Sequence, residues 1–255
     1  MTAPRTSLLP RRATLGVTAA AGLAAYTEPA VARPAPAPTE GHVVLLGDSV
    51  LDNAGYLRGA GPDVEAQLRN QLPIGWRATL LAKGGSVAAD VAEQLARVPP
   101  GATHLVISAG GNDAGRQEGV LGERSQSVAE GLARMADVRE GFARGYRTMA
   151  DLAHRRGLST AVCTIYDPRF PDPGRRRVAV VALAAFNDII TREAFARGLS
   201  LLDLRVICGH DEDFAAPTGP SVRGGAKIAA AIAGWATRQG PVRRRSEVFA
   251  GGEGA

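Results

Sequence analysis

Lysine is nearly missing from this 255-residue chain: only Lys83 and Lys227 occur among 30 basic residues. The formal charge of +5 therefore rests on arginine, whose densest clusters, Arg175-Arg176-Arg177 and Arg243-Arg244-Arg245, are short and carry no interleaved aromatics. A nucleic-acid surface needs a basic face and usually stacking aromatics, so no nucleic-acid partner is expected. Two cysteines exclude a disulfide-dense scaffold and a cysteine-based zinc module. With 6 Phe, 4 Tyr and 2 Trp, the core must be built mainly from Ala, Val, Leu and Ile. No apolar run approaches the roughly 20 residues of a membrane helix, so no integral membrane segment is expected. What is present, 45% hydrophobic and 22% charged residues, is the composition of a folded globular chain.

The ends do not read as fold. Arg11-Arg12, the mildly apolar stretch Val17 to Ala25 and Ala30-Val31-Ala32 are the ingredients of a twin-arginine export signal. The Pro-rich run from Arg33 to Pro38 then reads as an extended linker. Residues 1–40 are accordingly a signal-like or disordered segment, and the protein an exported or envelope one. The alternative is a disordered extension on a cytoplasmic protein. Residues 240–255, rich in Arg and Gly, read as a disordered tail.

Residues 41–239 alternate strand and helix. His42 to Leu46, Arg77 to Ala82, Leu105 to Ser108, Ala161 to Ile165 and Leu199 to Leu204 are short apolar runs suited to strands covered on both faces. Between them lie helical stretches: Pro62 to Leu72, Val87 to Val98, Ser125 to Arg155 and Val178 to Arg197, with Gly224 to Trp235 closing the domain. This order predicts an α/β fold with one doubly wound, flavodoxin-like, five-stranded parallel sheet. Ligands in such sheets bind beyond the carboxyl ends of the strands, so the loops there are where chemistry is expected.

Those loops hold Gly47-Asp48-Ser49 after strand one, Lys83-Gly84-Gly85-Ser86 after strand two and Gly110-Gly111-Asn112-Asp113 after strand three. The set resembles the SGNH (GDSL-type) hydrolases, and the likeness covers about residues 42–238. It implies a serine that attacks an ester carbonyl, an acyl-enzyme, and release by water. Ser49 is then the nucleophile. The Ser49 N–H, the Gly85 N–H and the Asn112 side chain would form the oxyanion hole, with Gly84 an alternative to Gly85. Asp48 is expected to hold the loop through hydrogen bonds rather than to act as a base. No cofactor is implied. Cys163 and Cys208 are expected to be buried thiols rather than a disulfide.

One block departs from that family. Aligning Pro220-Ser221-Val222-Arg223-Gly224 on its last motif puts Gly219 where the histidine belongs and Ala216 where the aspartate belongs. Neither takes a proton, and a serine without a neighbouring base is a poor nucleophile. Of the four histidines, His42 and His104 open strands at the far end of the sheet, and His154 lies late in a helix. Only His210 follows strand five. It is the remaining candidate base, with Asp213 or Asp211 to orient it; the alternative is a solvated loop histidine among acids. Two functions follow: a serine ester hydrolase acting on a small or glycan-linked ester, or a catalytically impaired binding module for an acyl or carbohydrate ligand. A flavodoxin-like nucleotide binder ranks behind both, because no phosphate loop is present. A monomer with a small-molecule ester as partner is expected.

Overall fold

The computed structural model describes residues 40–238 and Val248–Phe249. The signal-like residues and most of the tail lie outside these described residues. Chain order runs β1 (Gly41–Gly47), α1 (Ala54–Leu57), α2 (Val64–Gln71), β2 (Trp76–Leu80), α3 (Val91–Ala96), β3 (His104–Ser108) and α4 (Gly111–Arg116). It continues with α5 (Val128–His154), β4 (Ser159–Cys163), α6 (Pro173–Ala196), β5 (Ser200–Leu202) and α7 (Leu204–Ile207). A small antiparallel pair, β6 (Phe214–Ala216) and β7 (Gly219–Pro220), precedes α8 (Val222–Arg238), and β8 (Val248–Phe249) is the last described element.

The five expected strands form one parallel sheet in the order β2-β1-β3-β4-β5, and β8 adds a sixth, parallel to β5. Two residues of the segment expected to be a disordered tail are therefore paired. Strand alternation sorts the core into two layers. Val43, Leu45, Val106, Ala161 and Leu202 face one layer with Leu68, Ile228, Ile232 and Trp235 of α2 and α8. Val44, Leu46, Leu105, Ile107 and Val162 face the other with Leu95, Tyr146, Met149 and Ile190 of α3, α5 and α6. Both faces of the sheet are covered, which is why the strands read as unbroken apolar runs.

The helices obey local chemistry. Ser127 caps α5 by accepting from the Glu130 N–H, and Asp172 caps α6 by accepting from the Arg175 N–H. The α6 helix starts at Pro173 rather than Val178, because that cap and a proline in the first turn both favour an earlier beginning. Three ion pairs, Arg139–Asp188, Arg147–Glu193 and Arg197–Asp151, lace α5 to α6. Some of the arginine excess is thus structural rather than merely solvated.

His104 opens β3, where it sits between Trp76 and Trp235 with both ring centroids at 5.3 Å. Burial pulls its pKa down to about 4. Cys163 and Cys208 are both free and buried, and burial pushes the Cys208 thiol up to about 12. Among the described residues no helix is long and apolar enough to cross a membrane.

The order β2-β1-β3 makes the end of β1 the switch point of the sheet, because the chain leaves β1 to one side and returns to the other. The loops after β1 and β3 open side by side there.

Candidate active site

The loop after β1 starts at a forced glycine. Gly47 has φ +111°, and a Cβ there would collide with the Ser108 carbonyl oxygen. Asp48 follows and ties the loop to β3. Its backbone N–H donates to Ser108 O at 2.9 Å, and its Oδ1 accepts from the Ser108 hydroxyl at 2.9 Å and the Val50 N–H at 3.1 Å. Burial pushes the Asp48 carboxyl up to about 7, and the nearby Asp113 carboxylate adds to the rise. With these bonds Asp48 holds the loop and leaves Ser49 at its outer edge.

Ser49 lines a cavity of about 900 Å³ beyond the carboxyl ends of the strands. Asn112, in the first turn of α4, lines it as well. One Asn112 amide N–H donates to Ser86 O at 2.8 Å, and an amide carries two, so the second is available to a ligand. The next residue, Asp113, accepts from the Ala88 N–H at 3.0 Å and fixes α4 against the segment after β2. Much of the remaining lining is apolar, with Leu121, Val138, Ile165, Val178, Leu183 and Phe186. These come from the segment after α4, from α5, from the end of β4 and from α6.

The other expected site residues fall differently. Gly85, with φ +84°, takes the third position of a turn in which Ser86 N–H donates to Lys83 O at 3.1 Å. The Gly84 N–H is occupied by Asp52 Oδ2 at 2.8 Å, which argues against Gly84 as the hole donor. Neither glycine lines the cavity.

His210 and Asp213 stand outside the cavity lining too. His210 is 68% exposed, with its Nδ1 3.5 Å from Lys227 Nζ. Asp213 is fully buried and accepts from Lys227 Nζ at 2.9 Å and from the His210 backbone N–H at 3.0 Å, with Arg223 Nε 3.3 Å away. Lys227 and Arg223 both belong to α8, so Asp213 anchors that helix. Neither side chain is hydrogen-bonded to Ser49, whose hydroxyl pairs with Tyr56.

The residue that does meet the serine is Tyr56. Its phenol oxygen lies 3.1 Å from Ser49 Oγ, with either atom able to donate. Tyr56 sits in α1, whose preceding residue Asn53 is buried and pinned: its Nδ2 donates to Pro220 O at 3.3 Å and its Oδ1 accepts from the Val64 N–H at 2.9 Å. The ring packs on Gly219, where a Cβ would lie 2.5 Å from Tyr56 Cδ1 and Cδ2. The absent side chain at position 219 is thus filled by a tyrosine from 163 residues earlier in the chain (219 − 56). Sequence reasoning missed Tyr56. Its one signal was its place in the same loop region, seven residues past Ser49.

A serine and an amide donor line a largely apolar cavity at the switch point of a doubly wound sheet, the usual place for a small-molecule site in such a fold. The sequence profile of the GDSL-like Lipase/Acylhydrolase family matches residues 45–241, and the chain belongs to that family. Comparison by sequence with curated proteins gave no match. Among solved structures, an extracellular lipase from Streptomyces rimosus superposes with a TM-score of 0.56 at 21% identity, covering 77% of this chain and 100% of that one. A phospholipase A1 from Streptomyces albidoflavus gives 0.55 at 18% identity, covering 78% and 98%. An acetylxylan esterase from Geobacillus stearothermophilus gives 0.52 at 16% identity, covering 81% and 99%. At such identities the likeness is one of fold.

Proposed function

We propose that this acylhydrolase is a serine ester hydrolase that works through an acyl-enzyme at Ser49, with the acyl group of its substrate in the apolar cavity. The observation that carries the reading is that Ser49 and Asn112 both line that cavity, much of whose lining is apolar. Its volume of about 900 Å³ is that of a small-molecule site. An ester carbonyl placed at Ser49 would direct its developing negative charge toward the Ser49 N–H and the free Asn112 N–H. Apolar walls favour an apolar acyl chain over the sugar portion of a glycan ester, because a buried hydroxyl without partners is costly. The lipase and phospholipase among the fold relatives fit that preference, and the acetylxylan esterase fits a short acyl group. We also propose export through the twin-arginine-like segment, which would be seen as loss of the residues up to Ala32 by intact mass.

A second reading is a binding module that keeps the cavity and has lost turnover. Gly219 at the family's histidine position is the observation in its favour. Hydrolysis of p-nitrophenyl esters by the purified protein separates the two. Turnover that disappears in Ser49→Ala, with melting unchanged, supports the hydrolase. Absent turnover, with acyl ligands still bound, supports the module.

A further inference from the structure

We infer that Tyr56 is the catalytic partner of Ser49, taking the serine proton in the place that the family gives to a histidine. The inference rests on the hydrolase reading above and adds to it the group that activates the nucleophile. Two independent observations point to it. The Tyr56 phenol oxygen is 3.1 Å from Ser49 Oγ, within the reach required of a proton acceptor. The Tyr56 ring also occupies the volume that a side chain at Gly219 would need, so tyrosine and histidine are alternative occupants of one place.

The surroundings leave few rivals. The titratable residues lining the cavity are Asp48, Tyr56, Glu118, Tyr166 and Arg175. Glu118 and Arg175 are committed to each other, with Arg175 Nε to Glu118 Oε1 at 2.8 Å. The Tyr166 hydroxyl donates to Thr218 O at 2.6 Å. Asp48 spends Oδ1 on the Ser108 hydroxyl and the Val50 N–H. Tyr56 alone among them has a hydrogen bond to Ser49 Oγ. Its mounting is firm on both sides: Asn53 ties the start of α1 to Pro220, and Tyr166 ties Thr218 to the end of β4.

The chemistry balances without a further reagent. Tyr56, having given its own proton to solvent, accepts the Ser49 proton as Oγ bonds to the ester carbonyl carbon and the carbonyl π pair moves onto oxygen. Collapse re-forms the carbonyl and expels the alcohol oxygen, which takes the proton back from Tyr56. Water then repeats the sequence on the acyl-enzyme: Tyr56 takes a proton from the attacking water and returns it to Ser49 Oγ as the acid leaves. A phenol must lose one proton before it can accept another, so activity should rise toward alkaline pH. A histidine base would instead give a rate that falls as pH drops through about 6.5.

The test is p-nitrophenyl butyrate hydrolysis from mildly acid to alkaline pH, by wild type, Tyr56→Phe, Ser49→Ala and the double variant Tyr56→Ala/Gly219→His, each with its melting curve. Loss of a positioned proton acceptor should lower kcat about 10²–10⁴-fold in Tyr56→Phe, leave KM nearly unchanged and abolish the alkaline rise. The double variant, with imidazole in the vacated space, should regain turnover with a histidine-type profile. Tyr56→Phe that keeps both the rate and the alkaline rise overturns the inference, whichever other group is then responsible. If Tyr56→Phe melts early, the double variant decides: folded and active with the imidazole profile supports the inference, and folded but inactive contradicts it. A dead Ser49→Ala beside an unaffected Tyr56→Phe removes this inference and keeps the hydrolase. An active Ser49→Ala removes both.

Discussion

Gly219 and Tyr56 share a single space: a Cβ on the glycine would stand 2.5 Å from Cδ1 and Cδ2 of the tyrosine ring. That contact accounts for how a GDSL-family chain can lack the usual histidine without a void beside its serine. It also makes position 219 intolerant. Gly219→His in the otherwise unchanged protein should destabilise it by about 1–3 kcal/mol, the usual cost of overpacking, read as a lower denaturant midpoint. A midpoint equal to wild type would mean that Tyr56 moves aside freely.

Asn112 offers one amide N–H to Ser86 O and keeps the other for the cavity. Asn112→Ala should therefore lower kcat about 10²–10³-fold with little change in KM, because the donor acts on charge that develops only during reaction. Steady-state kinetics on a p-nitrophenyl ester checks it. An effect confined to KM would make Asn112 a ground-state contact instead.

The apolar lining of the cavity should read acyl length. Ala182, on α6, lines it together with Leu183 and Phe186. Ala182→Trp should cut kcat/KM for a p-nitrophenyl octanoate at least about tenfold while sparing the acetate, since a pocket discriminates roughly 10–200-fold per methylene lost or refused. Equal losses on both esters would place the acyl chain elsewhere.

Asp48 makes stability depend on pH in a defined direction. Its folded carboxyl titrates near pH 7 against an ordinary value of 3.8, because burial disfavours the charge. Between these values the folded protein holds a proton that the unfolded chain has released, so this group's contribution is complete at acid pH and is lost as pH rises through about 7. Buried His104 acts in the opposite sense: its folded pKa is depressed to about 4, so its contribution is lost as pH falls from 6.5 toward that value. Comparing wild type with Asp48→Asn isolates the aspartate, as the amide keeps an oxygen for Ser108 and Val50. The variant should melt higher than wild type above pH 7 and gain less in acid. A constant difference across pH would show that Asp48 does not titrate in this range.

Much of this was legible in the sequence because it is local. Val43 to Leu46, Leu105 to Ile107 and Ala161 to Cys163 are continuous apolar runs, and each became a strand buried on both faces. Ser49 and Asn112 follow such strands within a few residues, so their place at the sheet end followed from chain order. The rest depended on distant parts of the chain. Tyr56 stands beside Ser49 in a helix whose preceding residue, Asn53, bonds to Pro220, a contact between residues 167 apart that no periodicity announces. His210 follows the fifth strand as the sequence suggested, but Lys227 and Arg223 of α8 hold Asp213 buried, while the His210 side chain lies at the surface. The cavity was hidden for the same reason, since part of its lining comes from mixed-exposure faces of α5 and α6 that meet only in the folded protein.

Labelling with a fluorophosphonate tests the central claim, that Ser49 is an activated nucleophile, most directly. The reagent bonds to an activated serine oxygen whatever the natural ester is, so no knowledge of substrate is needed. The account predicts one adduct per chain, mapped by peptide mass to Ser49, and no labelling of Ser49→Ala. An adduct on a different residue, or none on a folded protein at alkaline pH, would contradict it.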